Sequence, residues 1–512
     1  MTIQTRDTAQ GGKTRRRKES SKMHPVKRRI TAALILAMTL ATLASCGSDT
    51  GNSNDGTTAQ TTGGEDTTSA AEETEPSEFK AADADFGGAD FIIAENDIGD
   101  WMQSAFIETE NGDVLNDSIY RRNSIVEDLY NVNIKGFKIE GERNRQDLAQ
   151  LKNGILAGDK DYDVAFIPGS LCATMFSDPS YLVPLSDVST LDLTHSWWAQ
   201  DSVDTMTFGG ETISATGDMV VTTTGSSTVT LFNKAFANQY DLDVYSVVRD
   251  GKFTVDYVYD TAKLVSADLN GDTKMDANDD QFGWMVESLN IIHLIGASGE
   301  KLVTRDESGL PVSNIDSSKL VEVVMKYVDI INDKDSVISV QDNRIKDGGP
   351  AGVFDGGRML FWETNLQRMK AARSFTVDFG LIPFPKYEES DDYIAPVGGY
   401  WDSWLMIPAT NSDTDRTGTV LEALGYYSQQ LVTPAFIETS VTTKALRDDD
   451  SAEMLDMVLK NRSFDTGVYF SWGTNEAFKA SVNHVSNFTS VAASGKSKID
   501  ASIASFIEAL GE

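Results

Sequence analysis

The sequence predicts an α/β protein built from two units, each with a mainly parallel sheet flanked by helices. Three observations carry this prediction. Short apolar runs alternate with helical patterns along residues 90–168, a second alternation begins beyond Asp218, and the first set follows the order strand, helix, strand, helix, strand. That order is typical of parallel sheets whose strands are joined by right-handed helical crossovers.

The first unit is predicted to occupy residues 83–222. Its strands are expected to be buried, because the apolar runs are short and nearly continuous. The predicted elements, in chain order, are a strand at Asp90–Ala94, a helix at Asn116–Tyr130, a strand at 132–139, a helix at Gln146–Leu156 and a strand at Asp163–Pro168.

The second unit is predicted over residues 223–396. The chain is then expected to return to the first unit over 397–440 and to end in a helical segment, 441–512, that packs mainly on the second unit. Strands are predicted at Thr228–Phe232, Gly380–Pro383 and Leu405–Pro408, and helices at 233–238, Val255–Ala267, Ser317–Asn332, Asn365–Ala372, Gly418–Leu431, Ser451–Lys460 and Asn475–Gly511.

Charge and cysteine content exclude two classes of protein. The chain has 512 residues with 44 Lys and Arg against 78 Asp and Glu, a formal net charge of −34. Such a chain repels phosphate backbones, so we expect no nucleic-acid partner. Only Cys46 and Cys172 are present, which excludes a cysteine-rich zinc module.

The N-terminus has the pattern of an export signal over residues 1–45. A basic patch at 27–29 precedes the apolar run Ile30–Leu43, which is short for a membrane span and fits the apolar region of a signal peptide. Translation could start at Met1 or at Met23. The alternative interpretation is a short membrane anchor that is not cleaved.

The end of this segment, Leu43-Ala44-Ser45-Cys46, closely resembles the lipobox of bacterial lipoproteins. The resemblance implies cleavage before Cys46 and a lipid on its sulfur, with acyl chains such as palmitate; an ordinary signal peptide with a chance cysteine is the alternative. Residues 46–82 are polar and acidic, and they predict a flexible tether. Cys172 is then the single cysteine left for the folded part, where we expect a buried thiol, with a nucleophile as the alternative.

One acidic loop has the spacing of a calcium-binding loop. Oxygen ligands recur at the required positions of a twelve-residue stretch, although Thr273 replaces the usual glycine and the last ligand is Asp. A metal-free loop of Asx turns is the alternative, and in either case we expect a structural role. The candidate calcium ligands are Asp268, Asn270, Asp272, the Lys274 carbonyl, Asp276 and Asp279.

Signatures of enzymes are missing, whereas aromatic residues stand beside polar ones in several loops. The four histidines form no metal-binding motif, and there is no nucleophile elbow or phosphate loop. Sugar sites combine an aromatic platform with hydrogen-bonding groups. Trp362-Glu363, Tyr400-Trp401 and Trp472 are such candidates, with core packing as the alternative for each tryptophan. Asp218 is either a site carboxylate or a turn former.

Several segments, taken in order, resemble family 1 extracellular solute-binding proteins, the lipoprotein receptors of ABC-type sugar importers. The resemblance covers nearly the whole chain from about residue 85. The matching segments are Asn116–Asn123 through Val132, Tyr162–Val164, Leu231–Lys234, the Asp268 loop, Phe354–Trp362, Gly398-Gly399 and Ile407-Pro408.

The resemblance implies a type II periplasmic-binding-protein-like fold, with two lobes, two or three crossing strands and a ligand cleft between the lobes. It places Trp362 and Trp472 at sugar-stacking positions and Tyr400 and Trp401 at a crossing. It also places the end of the first strand, Asn96 and Asp97, near the cleft.

The function implied is a non-catalytic, monomeric receptor on the outer face of the cell membrane. It would bind a carbohydrate, most simply an oligosaccharide, and deliver it to the ABC permease subunits, without a cofactor for chemistry and with calcium as a structural ion. A receptor for peptides or other non-sugar solutes and a calcium-dependent adhesion or sensor protein are the alternatives.

Overall fold

Two separate central sheets organise the chain. In the computed structural model, the structure describes residues 79–96, 105–139, 148–287, 289–341, 344–345, 348–441 and 448–511. The strands are β1 Ala89–Asn96, β2 Val132–Ile139, β3 Val164–Pro168, β4 Thr207–Phe208, β5 Glu211–Thr212, β6 Thr228–Asn233, β7 Phe282–Val286, β8 Val303–Arg305, β9 Pro311–Ser313, β10 Val337–Ser339, β11 Met359–Asn365, β12 Phe379–Pro383, β13 Ala395–Pro396, β14 Ser403–Met406 and β15 Arg462–Ser463.

Helices connect and cover these strands. They are α1 Val114–Tyr130, α2 Leu148–Ala157, α3 Cys172–Phe176, α4 Gln200–Thr205, α5 Val221–Gly225, α6 Lys234–Gln239, α7 Val244–Arg249, α8 Val255–Val265, α9 Asn290–Ala297, α10 Ser318–Asn332, α11 Gly349–Asp355, α12 Met369–Ala372, α13 Thr414–Tyr427, α14 Thr433–Phe436, α15 Asp449–Lys460, α16 Thr466–Tyr469, α17 Thr474–Val482 and α18 Phe488–Leu510. Among the described residues, none of these helices is both long and apolar enough to cross a membrane.

The first lobe is built on the sheet β14-β3-β1-β2. Strand β1 pairs in parallel with both β2 and β3, while β14 joins β3 in the antiparallel direction. Helix α1 begins after Asp113, whose carboxylate accepts hydrogen bonds from two backbone amides, and it buries Ile119 and Val126. The strand–helix–strand prediction for this unit is confirmed.

The second lobe is built on the sheet β10-β7-β11-β6-β12. Strands β10, β7 and β11 pair in parallel, and β6 is antiparallel to both of its neighbours, β11 and β12. Four of the five strands therefore run in one direction, as predicted for an α/β lobe. All five residues of β7 and of β12 are buried, which is expected when helices cover both faces of a sheet.

Neighbouring chain segments join the two lobes. Along residues 215–228 and 395–405, Leu405 N donates to Ala215 O at 3.0 Å, and Ser227 forms an isolated antiparallel bridge with Val397. Strand β13 also pairs with β15. These short, paired connections give the fold its two-lobed arrangement.

The C-terminal part is helical. Helix α13 begins at Thr414, earlier than predicted, and passes at Ser428 into a π-helical turn. Helix α17 packs against α9 and α10, and α18 packs against α10 and β9.

Candidate functional site

A pocket lies where the ends of strands from both lobes meet. In the second lobe, β7 and β11 end beside each other, and Asn365 at the end of β11 pairs with Thr228 at the start of β6. In the first lobe, β14 begins opposite Pro168, the last residue of β3. Open α/β sheets bind ligands beyond the carboxyl ends of their strands, so the topology creates a site here.

We call this space the cleft pocket. Including its mouth, it measures about 450 Å³, but its interior is narrow, with room for about two water molecules. Its walls are formed by Ser226, Thr228, Glu287, Leu289, Asn290, His293, Thr364, Asn365, Gly398, Tyr400 and Trp401.

Several buried polar atoms of the cleft pocket have no hydrogen-bond partner within the described part of the chain. They are the hydroxyl oxygens of Ser226 and Thr364 and Nδ1 of His293. Buried polar groups are rarely left without a partner, because each costs about 1–3 kcal/mol. A polar ligand with several hydroxyl groups could supply the missing partners.

Asn290 forms a polar part of the wall, and the buried Glu363 fixes its carboxamide through a hydrogen bond. Its carboxamide donates through Nδ2 to Oε2 of Glu363, while Trp284 Nε1 donates to Oε1 of Glu363 at 3.0 Å. Both Asn290 and Glu363 are almost completely buried. Burial raises the pKa of Glu363 to about 8.

His293 lies one helical turn beyond Asn290 on α9. Burial lowers its pKa to about 4, so the imidazole is neutral at pH 7. Gly398 from the crossing segment packs close to it: a Cβ atom added there would lie 3.2 Å from His293 Nε2. The absence of a side chain at residue 398 therefore lets the crossing segment reach the second lobe.

A smaller side pocket continues from the cleft pocket. The two share Asn365 and Trp401, and the side pocket is completed by Gln367 and Arg368. Nη2 of Arg368 lies 2.8 Å from Oε1 of Glu287, which lines the cleft pocket. Trp401 thus stands between two polar compartments.

Two of the predicted aromatic residues do line the pocket. Tyr400 and Trp401 are half-buried, and their rings meet edge to face with centroids 5.1 Å apart. The loop that carries them comes directly before β14, so its position follows from the return of the chain to the first lobe.

Trp362, which was predicted to stack on a ligand, lies in the core of the second lobe. Trp362 is only 2% exposed, on the central strand β11, and its ring packs near Phe354 and Phe375 with centroids 5.6 and 6.3 Å away. Helices cover both faces of this strand, which leaves no free ring face.

Trp472 is also a core residue and not a site residue. Its ring stacks on Phe470 with centroids 4.5 Å apart and contacts Phe506 of α18 edge to face. Its Nε1 donates to Ser502 at 3.0 Å. Phe470 and two residues of the C-terminal helix, Ser502 and Phe506, therefore surround this side chain.

The two predicted carboxylates are buried behind or away from the pocket. Glu363 does not line the cleft pocket but accepts a hydrogen bond from Asn290, which does. Asp218 accepts hydrogen bonds from Gln429 at 3.2 Å and Thr433 at 3.0 Å, and it does not line the cleft pocket. Burial raises the pKa of Asp218, opposed by the nearby charge of Arg462.

Three predicted residues have side chains outside the described part of the chain. Asn96 ends β1, but its side chain is outside the described residues, as are Asp97 and Cys46. Their roles stay predictions.

The calcium-like loop lies apart from the cleft pocket. Asp268 accepts hydrogen bonds from Gly271 N at 2.7 Å and Thr273 N at 2.8 Å, and Thr273 has a φ of +67°. The Asx turns of the alternative prediction are present as well: Asp272 N donates to Oδ1 of Asn270 and Lys274 N donates to Oδ1 of Asp272, each at 2.8 Å. Within the described residues, no group of three or more His, Cys, Asp or Glu side chains is gathered as for a metal ion.

Most of the pocket wall was not predicted from the sequence. Asn290 and His293 follow β7, whose apolar run Phe282–Val286 was not recognised as a strand. The rule that ligands bind beyond the carboxyl ends of parallel strands would have directed attention to residues 287–293 once that strand was assigned.

Solved structures of ABC solute-binding proteins share this fold. The chain is similar to a cyclo/maltodextrin-binding protein complexed with maltotetraose, with a TM-score of 0.54, 12% identity, and coverage of 80% of this chain and 96% of that one. It is also similar to a cyclic alpha-maltosyl-1,6-maltose binding protein from Arthrobacter globiformis, with a TM-score of 0.53, 13% identity, and coverage of 81% of this chain and 99% of that one.

A third structure widens the range of ligands among the neighbours. It is an ABC transporter solute-binding protein from Agrobacterium radiobacter K84 in complex with ribitol, with a TM-score of 0.50, 12% identity, and coverage of 81% of this chain and 99% of that one. These identities establish the fold alone, and the predicted two-lobed fold is confirmed. No protein-family model and no curated protein sequence matches the chain.

Proposed function

We propose that this protein is the solute-binding receptor of an ABC importer and that it binds a carbohydrate in the cleft pocket. The role is binding without catalysis and without a cofactor. The observation that carries the proposal is the pocket itself: Tyr400 and Trp401 form its aromatic part, and buried hydroxyl and amide groups form its polar part. This combination suits the apolar faces and hydroxyl groups of a sugar.

The neighbouring structures support the carbohydrate class. They hold maltotetraose or ribitol, or are described as binding a cyclic maltose derivative. All of these are uncharged compounds with many hydroxyl groups. In the cleft pocket the buried groups without a partner are neutral as well, since burial keeps His293 uncharged.

Ligand entry requires the lobes to separate. A sugar ring needs more space than the narrow interior of the cleft pocket provides. The paired crossing segments are short and lie side by side, an arrangement suited to hinge motion. Contacts that a ligand makes with both lobes would favour the closed form by population shift.

The N-terminal sequence supports a place on the outer face of the cell membrane. Lipid on Cys46 would hold the receptor there, and residues 46–82 would let the lobes reach the permease subunits. More than one acyl chain is needed for stable anchoring. We further propose that the receptor acts as a monomer.

Calorimetry with defined sugars tests the proposal. We expect binding of maltotetraose, a cyclic maltose oligosaccharide or ribitol, and no binding of short peptides. Trp401→Ala should weaken the affinity about tenfold, because it removes an aromatic contact worth about 1.5 kcal/mol.

A matched control replaces an aromatic residue outside the pocket. Tyr259 on α8 is half-buried and donates to Asp333 at 3.2 Å, so Tyr259→Ala should leave the sugar affinity unchanged. Equal affinities of the wild type and Trp401→Ala would remove the cleft pocket from the binding site.

A further inference from the structure

The two carboxyl oxygens of Glu363 accept hydrogen bonds from different residues. Its Oε1 accepts a hydrogen bond from Trp284 Nε1 at 3.0 Å, and its Oε2 accepts one from Asn290 Nδ2. The carboxyl is 1% exposed on β11, and Asn290 is 2% exposed on α9. Asn290 therefore stands between the buried carboxyl and the cleft pocket, which it lines.

The chemistry of the two partners restricts where a proton can go. An indole N–H only donates, so Oε1 of Glu363 must accept in every protonation state. Of the two partners only Asn290 has an acceptor, its amide oxygen, so a proton on Glu363 finds a hydrogen-bond partner on Oε2, the oxygen that faces Asn290. An ionised carboxylate accepts only, and it requires the NH₂ group of Asn290. A protonated carboxyl donates, and it requires the amide oxygen of Asn290 instead.

We propose that Glu363 is a positioning residue that sets the orientation of the Asn290 carboxamide, and with it the hydrogen-bonding character that the pocket presents to a ligand. Ionised Glu363 holds the NH₂ group inward and leaves the amide oxygen, an acceptor, for the ligand. Protonated Glu363 holds the oxygen inward and leaves the NH₂ group, a donor. The effect on ligand binding rests on the proposed function. The control of the Asn290 orientation by Glu363 does not depend on it.

The groups around Glu363 set the pH at which the exchange occurs. Burial raises the pKa of Glu363 to about 8, the hydrogen bonds from Asn290 and Trp284 oppose this, and the charge of Glu287 raises it further. Tyr327 on α10 faces the same region; burial raises its pKa well above its usual value, so it stays neutral. His293 on α9 is neutral above pH 5.

Side-chain amide NMR tests the proposal without any ligand. The full chain is labelled with ¹⁵N-asparagine, and the Asn290 NH₂ signals are identified by their loss in Asn290→Asp. Between pH 5.5 and 9.5 these signals should follow one titration curve in the wild type. In Glu363→Gln they should not titrate and should resemble the low-pH wild type, because the new amide donates to Asn290 at every pH.

A second variant distinguishes Glu363 from its charged neighbour. Glu287→Gln should keep the titration of the Asn290 signals but move its midpoint to lower pH, since a repulsive charge is removed. Loss of the titration in Glu287→Gln, its persistence in Glu363→Gln, or its absence in the wild type would each overturn the proposal. Thermal melting of each variant confirms that it is folded.

Calorimetry with maltotetraose then tests the consequence for binding. Between pH 6 and pH 9, the wild-type affinity should change about three- to tenfold, the range expected for one altered hydrogen bond, and the affinity of Glu363→Gln should not. A constant wild-type affinity would overturn the ligand part of the proposal. If neither maltotetraose nor the cyclic maltose oligosaccharide nor ribitol binds at either pH, the failure counts against the proposed function, and the NMR titration still decides the role of Glu363.

Discussion

Neighbouring side chains distinguish the three candidate tryptophans, Trp362, Trp401 and Trp472, from one another. Trp401 is half-buried in a loop between the lobes and lines two adjoining pockets. Trp362 and Trp472 have aromatic neighbours that fill the space around them. Of these three tryptophans, Trp401 is the one that lines the cleft pocket and is partly exposed.

Trp362→Ala should destabilise the protein by about 3–5 kcal/mol, because it leaves a large cavity in the core of the second lobe. Trp401→Ala should cost much less, since that side chain is already partly exposed. Urea denaturation of the two variants checks the difference. Similar losses of unfolding free energy would contradict the assignment of Trp362 to the core.

Glu363 should also make stability depend on pH. Its pKa is raised from an ordinary 4.5 to about 8 in the folded protein, so folding favours the protonated form. The stabilisation is complete below pH 4.5 and is lost as the pH rises through 8. Glu363→Gln has no such loss.

We therefore expect the stability of Glu363→Gln relative to the wild type to increase by about 2–4 kcal/mol between pH 5 and pH 9. Denaturation in urea at several pH values measures this. A constant difference across that range would show that Glu363 is not the titrating group.

At the scale of elements, the crossing segments depend on glycine. Gly399 has a φ of +62°, and a Cβ atom there would lie 2.1 Å from Cγ1 of Val468. Such a contact cannot form without a backbone shift. The glycine therefore sets how closely the crossing loop and α16 approach each other.

Gly399→Ala should destabilise the protein by about 1–3 kcal/mol and lower the sugar affinity, because the loop that carries Tyr400 and Trp401 must move. Gly210→Ala is the matched control: it has a φ of +95° with no heavy atom within 4 Å, so it has backbone strain without a clash. Thermal unfolding and calorimetry compare them. Equal effects of the two substitutions on affinity would contradict this role of Gly399.

Calcium binding by the acidic loop at 268–279 stays a prediction. Calcium at millimolar concentration should raise the melting temperature, and magnesium should not, because the loop supplies many oxygen ligands. Asp279→Ala removes a predicted ligand without removing the hydrogen bonds that Asp268 accepts from Gly271 and Thr273. An unchanged melting temperature with calcium would support the metal-free alternative.

Local patterns predicted elements better than they predicted the site. Alternation of strands and helices gave β1, β2, β3, β6 and β12 within one or two residues, because burial on a sheet is visible as short apolar runs. The pocket wall could not be predicted in the same way. Asn290 and His293 come from α9 and Thr364 comes from β11, and strand order, which one sequence does not show, brings these elements together.

At the scale of the whole molecule, the narrow cleft pocket predicts opening of the lobes. Small-angle scattering should give a larger radius of gyration without sugar than with it, since closure around a ligand brings the lobes together. Trp401→Ala should need more sugar to reach the same decrease. An unchanged radius of gyration at a saturating concentration of a bound sugar would contradict the hinge account.

The most direct test of the central claim is calorimetry of the full chain with maltotetraose, a cyclic maltose oligosaccharide, ribitol and short peptides, repeated with Trp401→Ala. The account predicts that at least one carbohydrate binds with one site per chain, that peptides do not bind, and that Trp401→Ala weakens the carbohydrate affinity about tenfold. Binding of peptides but of no carbohydrate, or carbohydrate binding that Trp401→Ala leaves unchanged, would contradict it.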